Sequence, residues 1–91
     1  MSTDVRSVTL TADGTVYAGR QRIRHITYLA TATGGSIVLK DGGSSGVTKL
    51  NVATPAVADA YDIVIPGEGI LFETDVYLDL TNVASVTFFY G

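Results

Sequence analysis

Val76-Tyr77-Leu78-Asp79-Leu80 and then, after Thr81-Asn82, Val83-Ala84-Ser85-Val86-Thr87-Phe88-Phe89-Tyr90 decide the fold of this chain. In the first run Val76, Leu78 and Leu80 share one face while Tyr77 and Asp79 take the other, the two-residue period of a strand with one dry and one wet side. The second run is apolar on both faces, with Ala84, Val86, Phe88 and Tyr90 on one and Val83 and Phe89 on the other. Such a strand belongs in the middle of a sheet or beneath a covering element. No stretch keeps apolar residues at helical spacing for three turns.

The same composition of threonine, valine, isoleucine and aromatic residues recurs outward from there. Further runs read as Val5 to Thr11, Thr15 to Ala18, Ile23 to Ala32, Ser36 to Lys40, Val47 to Ala53, Tyr61 to Ile65 and Ile70 to Thr74. Turn residues interrupt them about every eight to twelve positions, the rhythm of an all-β sandwich or small barrel. Nine runs condense into about eight strands. Ala12-Asp13-Gly14 and Thr33-Gly34-Gly35 are expected to supply positive-φ hairpin turns, and Pro66-Gly67 fits the centre of a type II turn, so the flanking strands are expected to be antiparallel neighbours. Pro55 to Ala60 could make one helical turn capped by Thr54 and is read as a crossover loop.

Ninety-one residues make one domain. The chain is 46% hydrophobic and only 16% charged, against about a quarter charged in an ordinary soluble domain, so part of the apolar surface is expected to be buried against a partner. Cysteine is absent, which removes disulfides and thiolate metal ligands. The longest apolar runs fall far short of the roughly twenty residues of a spanning helix, and Met1-Ser2-Thr3-Asp4 carries no signal-peptide pattern, so neither membrane insertion nor secretion is expected.

Charge is split along the sequence. Arg6, Arg20, Arg22, Arg24, Lys40 and Lys49 all precede residue 50, giving the first fifty residues +3 and the remaining forty-one −6. The net −3 hides this polarity and argues against general nucleic-acid binding, which needs many cations on one face. Extended backbone would put Arg20, Arg22 and Arg24 in one stripe and Glu73, Asp75, Tyr77 and Asp79 in another, of opposite sign. These seven residues are the candidate interface. Exposed pairs of this kind contribute roughly 0 to 1 kcal/mol each; across a subunit boundary, or against an acidic partner, desolvation raises their importance.

Chemical motifs are weak. Gly42-Gly43-Ser44-Ser45-Gly46 matches G-x-S-x-G, but the sole histidine, His25, precedes Ser44, and a strand rather than a helix follows. His25 alternates with Ile23, Thr27 and Leu29 and lacks companions for a zinc site. Asp59, Asp62, Glu68, Glu73, Asp75 and Asp79 show no D-x-D-x-D-G spacing. Tyr17, Tyr28, Tyr61, Tyr77 and Tyr90 are scattered over five strands, which suits core and interface packing better than a sugar platform. No enzyme activity, cofactor or metal site is expected.

Gly35-Ser36-Ile37-Val38-Leu39-Lys40-Asp41-Gly42, Ile65-Pro66-Gly67-Glu68-Gly69-Ile70-Leu71-Phe72 and Val86-Thr87-Phe88-Phe89-Tyr90-Gly91 resemble segments of small virion proteins encoded by tailed bacteriophages, especially marine ones. The likeness covers about residues 23 to 91 and leaves Met1 to Gly19 outside it. It implies a structural part of the particle, such as a capsid decoration protein or a small knob or fibre component, with no active site to carry over.

The combined expectation is a compact antiparallel β-sandwich of jelly-roll type over residues 1–91, with 1–19 as an N-terminal hairpin or docking arm. Its expected place is the virion, after synthesis in the host cytoplasm. Its expected partners are the major capsid protein or another virion protein and further copies of itself, with no nucleic acid or membrane. The alternative is a glycan-binding module of a phage fibre or tail that uses Tyr77 and nearby carboxylates.

Overall fold

A computed structural model describes residues 5–91. Its strands are β1 (Arg6–Leu10), β2 (Gly14–Tyr17), β3 (Gln21–Ala30), β4 (Gly35–Asp41), β5 (Val47–Thr54), β6 (Ala60–Val64), β7 (Ile70–Phe72), β8 (Val76–Thr81) and β9 (Val83–Tyr90), with no helix among the described residues. They build two antiparallel sheets, β1-β9-β3-β6 with β7 also on β3, and β2-β8-β4-β5. β6 lies along His25–Leu29 and β7 along Gln21–Ile23, both antiparallel to β3, so together they fill one strand position interrupted at 65–69. Eight positions remain. First pairs with last, second with next to last, third with sixth, and β4 with β5 in a hairpin, which is the wrapped double hairpin of a jelly roll.

The core is the apolar alternation of the central strands. Ile23 and Ile26 of β3 and Val86 and Phe88 of β9 meet Ile37 and Leu39 of β4 and Val76 and Leu78 of β8, all with no exposed surface, and Phe72 closes one end. Each such side chain contributes roughly 1.5–3 kcal/mol by leaving water. β9 is central between β1 and β3, as its two apolar faces require. Tyr28 stacks on Tyr61 at 5.6 Å and Tyr17 packs on Tyr90 at 5.3 Å. Burial, and secondarily Tyr61, raises the Tyr28 phenol above its ordinary value.

Several sequence expectations change. β1 and β2 lie in different sheets, as do β3 and β4, so their connections cross between sheets instead of turning hairpins. Gly14, Gly34 and Gly35 accordingly lack positive φ, which falls instead on Gly19, Gly42, Gly43, Gly67, Gly69, Gly91 and Asn82. Gly35 is required for close approach: a Cβ there would run into the Thr81 carbonyl. Pro66-Gly67 also joins no hairpin; Gly67 has φ 65°, and Gly69 N–H donates to the Pro66 carbonyl at 3.4 Å, so the turn starts one residue later than expected. Residues 6–17 form no hairpin with each other, because β1 pairs with β9 and β2 with β8; Met1–Asp4, the start of the arm expected over 1–19, lie outside the described residues.

Two bulges in the β3–β9 pairing break the two-residue period. Between Ile23 and His25 the pairing with β9 shifts by one residue, so Ile23 and Ile26 both point into the core while Arg24 and His25 stay at the surface. His25 therefore does not share the face of Ile23. Between Leu29 and Ala30 the shift passes Ala84, which leaves Ala84 exposed and turns Val83 inward at 7% exposure, the reverse of strict alternation.

Candidate functional site

The registers give the sandwich two chemically different ends. One holds the β2–β3 turn, the β4–β5 loop, the β6–β7 and β7–β8 turns and Gly91; the other holds the β1–β2, β3–β4, β5–β6 and β8–β9 connections. Arg6 opens β1, Arg22 and Arg24 lie near the start of β3, Arg20 sits just before it, Lys40 is the last residue but one of β4, and Lys49 sits at the β5 bulge next to the loop. All six cations thus lie toward the first end. The second end carries Asp13 and Asp59 and no basic residue among the described residues. The first end also carries Asp41, Glu68, Glu73 and Asp75 in its loops, so the cations gather there together with carboxylates of both halves of the sequence.

At the basic end the loops are tied together by two aspartates. Asp41 accepts N–H bonds from Glu73 at 2.9 Å, Thr74 at 2.8 Å and Asp75 at 3.4 Å. Asp75 returns the arrangement by accepting from Gly42 and Gly43, each at 2.9 Å. Both glycines have positive φ, which aims two successive N–H groups at one carboxylate oxygen. The Glu73 and Thr74 N–H bonds hold the Asp41 carboxyl below the usual carboxylate range; partial desolvation opposes them, and the Asp75 N–H and Lys49 assist. The signal for this clamp was present in Asp41-Gly42-Gly43 after one strand and Thr74-Asp75 before another, an aspartate beside a turn at each of two strand ends.

The seven expected interface residues are dispersed. Arg22 and Arg24 flank buried Ile23 and project outward from β3, and the Arg24 Nε donates to the Gly91 carbonyl at 2.9 Å. Arg20 lies off the strand and meets Glu73 at 3.8 Å, both side chains about two-thirds exposed at 66% and 69%. Glu73 and Asp75 belong to the turn before β8, and Asp75 is occupied by the clamp. Tyr77 and Asp79 flank buried Leu78 on the outer face of the other sheet, where Asp79 is 3.6 Å from Lys40. The two stripes therefore sit on opposite faces, and their one meeting among the described residues is Arg20 with Glu73.

A surface that the sequence reading did not single out is the outer face of the β1-β9-β3-β6 sheet. Because Val86, Phe88, Ile26 and Tyr28 point inward, Ser85, Thr87 and Phe89 of β9 and Thr27 and Leu29 of β3 point outward. Thr9 of β1 joins them, its hydroxyl 2.8 Å from that of Thr87. Toward β6 the His25 ring packs on Phe89 at 5.9 Å and approaches Asp62 at 3.9 Å, beside Val64, which is 78% exposed. Hydroxyls and apolar groups dominate this face, and ionisable groups lie mainly along its β6 side and basic end.

Ser44 lies in the β4–β5 loop, where its carbonyl accepts from Lys40 Nζ at 3.1 Å, whereas His25 is on the other sheet. No group of three metal-ligating side chains occurs among the described residues. No family model, no curated protein and no solved structure matches this chain.

Proposed function

We propose that this protein is a structural component of a tailed-bacteriophage virion, a capsid decoration protein that binds the assembled shell as a homo-oligomer. The observation that carries the reading is the outer face of the β1-β9-β3-β6 sheet, a broad sheet surface of Thr9, Thr27, Ser85, Thr87, Leu29 and Phe89 with few charges. Charge depletion with aromatic and apolar groups at the centre is the composition of protein interfaces. The resemblance of residues 23–91 to small phage virion proteins and the jelly-roll wrap, an architecture shared with viral capsid domains, add to it. Fold alone does not assign function; the surface supplies the argument.

The mechanism requires no chemistry. The sheet face lies across adjacent coat subunits and binds only their assembled arrangement, so occupancy stabilises that arrangement by mass action. Cosedimentation of the purified chain with undecorated particles tests the assignment. Thr87→Glu places a charge in the middle of the face and lowers particle occupancy about tenfold or more, while Asn51→Arg on the exposed edge strand β5 leaves it unchanged. Equal occupancy for both variants would remove this face from the contact. Binding of particles by neither variant nor wild type, together with binding of a host-surface glycan, would favour the fibre or tail alternative.

A further inference from the structure

The sheet edges are not equally protected. β2 has four residues and a bulge between Thr15 and Tyr17, β6 and β7 are parted at 65–69 by a turn that contains Pro66, and β1 has five residues opened by Arg6. Short length, bulges, proline and charge are the devices that keep sheet edges from pairing with other chains. β5 is the longest edge strand, with eight residues, and among the described residues it pairs on one side only, with β4. Beyond its bulge at Lys49, residues Leu50 to Thr54 keep regular register with Leu39 to Gly35 and include no charge and no proline.

The side of the sandwich next to this edge is open as well. A Cβ on Gly14 of β2 would lie 3.6 Å from the Leu10 side chain of β1, so β1 and β2 share one side and β5 and β6 share the other. Leu50 and Val52 are register partners of buried Leu39 and Ile37, and Tyr61 and Ile63 of buried Tyr28 and Ile26, so all four are directed inward. All four nevertheless remain only partly buried, because β5 and β6 are edges of different sheets with no strand between them.

We propose that a second copy of this protein adds to β5, the two β5 strands pairing antiparallel about a two-fold axis that passes through Val52 perpendicular to the sheet. Val52 then faces Val52 of the other copy and Leu50 faces Thr54 on the inner side, while Asn51 faces Ala53 on the outer side, with no like charges opposed. The occupant is a second copy because this stretch complements itself and because each copy brings the same half-covered apolar row to the seam. The axis also leaves the outer β1-β9-β3-β6 faces of both copies pointing in one direction, as two copies seated on one shell require. Eight strand residues span about 27 Å, and two sheets about 10 Å apart with their side chains about 20 Å. The side therefore offers on the order of 500 Å² per copy, about 1,000 Å² in all, the low end of specific interfaces. The contact is isologous, so it closes at a dimer, and its small area makes it concentration-dependent. This inference rests on the homo-oligomer half of the reading above.

Sedimentation velocity tests it first. Wild type is expected to pass from monomer to dimer with concentration and to stop there. Val52→Lys sets two like charges directly opposite each other and aims a charge inward at the edge, which weakens association about tenfold or more; thermal melts confirm its fold. A second measurement does not depend on that variant. The chain has no cysteine, so single Asn51→Cys and Ala53→Cys forms report the register. Directly opposed residues have Cα atoms about 4.5–5.5 Å apart, within disulfide reach. Residue 51 and its own counterpart lie on the diagonal at about 7–8 Å, beyond that reach. An oxidised equimolar mixture of the two forms is therefore expected to give a covalent dimer, and each form alone to give little. A wild type that stays monomeric overturns both this inference and the homo-oligomer half of the proposed function; if Val52→Lys then also lowers particle occupancy, the edge belongs to a coat-protein segment. A wild type that grows past a dimer, a Val52→Lys form that associates equally, or a mixture that cross-links no better than each form alone overturns the β5 pairing and leaves the homo-oligomer reading standing. Particle occupancy at saturating concentration, unchanged by Val52→Lys because the shell-facing surface is on the other sheet, reports on the virion reading separately.

Discussion

Replacing Gly35 with alanine tests the place where the two halves of the wrap come closest. The backbone there has no positive φ, so conformational freedom is not the issue. A Cβ would overlap the Thr81 carbonyl oxygen and lie 2.7 Å from its carbon and 2.9 Å from the Asn82 Cβ. None of these is a flexible side-chain end, so β4 must move away from the β8–β9 corner. That movement strains the Ser36–Thr81 pairing and the Gly35 N–H bond to Thr54 Oγ1 at 2.9 Å, which satisfies a nearly buried hydroxyl. Overpacking costs about 1–3 kcal/mol, and weakening one or two hydrogen bonds adds about 1 kcal/mol, so the expected loss is about 2–4 kcal/mol. At about 4–8 °C per kcal/mol for a chain of this size, Tm falls by roughly 8–32 °C. Gly34→Ala is the internal control, since its Cβ would meet the Thr54 carbonyl at 3.4 Å and the Ala56 Cβ and N at 3.7 and 3.9 Å, ordinary contacts, and its stability stays within about 0.5 kcal/mol of wild type. Urea unfolding followed by circular dichroism gives both values. A Gly35→Ala protein within about 0.5 kcal/mol of wild type, or equal losses for the two variants, would refute the close approach of β4 to β8.

Asp41→Asn keeps the shape of the clamp and removes its charge. Because the folded carboxyl lies below its ordinary value near 3.8, ionised Asp41 contributes stability that is fully present above that value and is lost as pH falls through the lower folded value. Wild type is therefore expected to melt above the variant at neutral pH, with the gap closing in acid below about pH 4; a gap independent of pH in thermal melts would contradict the clamp. Arg20→Ala is expected to change stability by less than about 1 kcal/mol, as suits two exposed partners. A loss above about 2 kcal/mol in urea unfolding would contradict the exposed setting of the Arg20–Glu73 pair.

Strand existence was legible because alternation and β-branched composition are local properties, and all nine runs became strands within a few residues of their expected bounds. Which strands pair was not legible from the turns. A glycine-rich connection such as Thr33-Gly34-Gly35 reads alike whether it reverses within a sheet or crosses to the other, and here it crosses. The bulges at Arg24 and Ala84 are single-residue slips with no local sequence signature, and they exchanged the faces of His25 and Val83. The charge stripes failed for a related reason. Glu73 and Asp75 lie in a turn with no strand period, and one of them serves the backbone of a distant loop. What survived was the grouping of the cations, because the registers bring Arg6, Arg22, Lys40 and Lys49 to one end. The acids of the second half did not separate from them, since Glu68, Glu73 and Asp75 lie in the turns of that same end.

The most direct test of the virion proposal is the copy number of this chain relative to a major coat protein, by quantitative mass spectrometry of gradient-purified phage particles from cells that express the chain. A decoration protein is predicted to appear in fixed, high proportion to the coat subunits. A handful of copies would move it to the tail or a vertex fibre and favour glycan binding, and its absence from the particles would contradict the virion assignment.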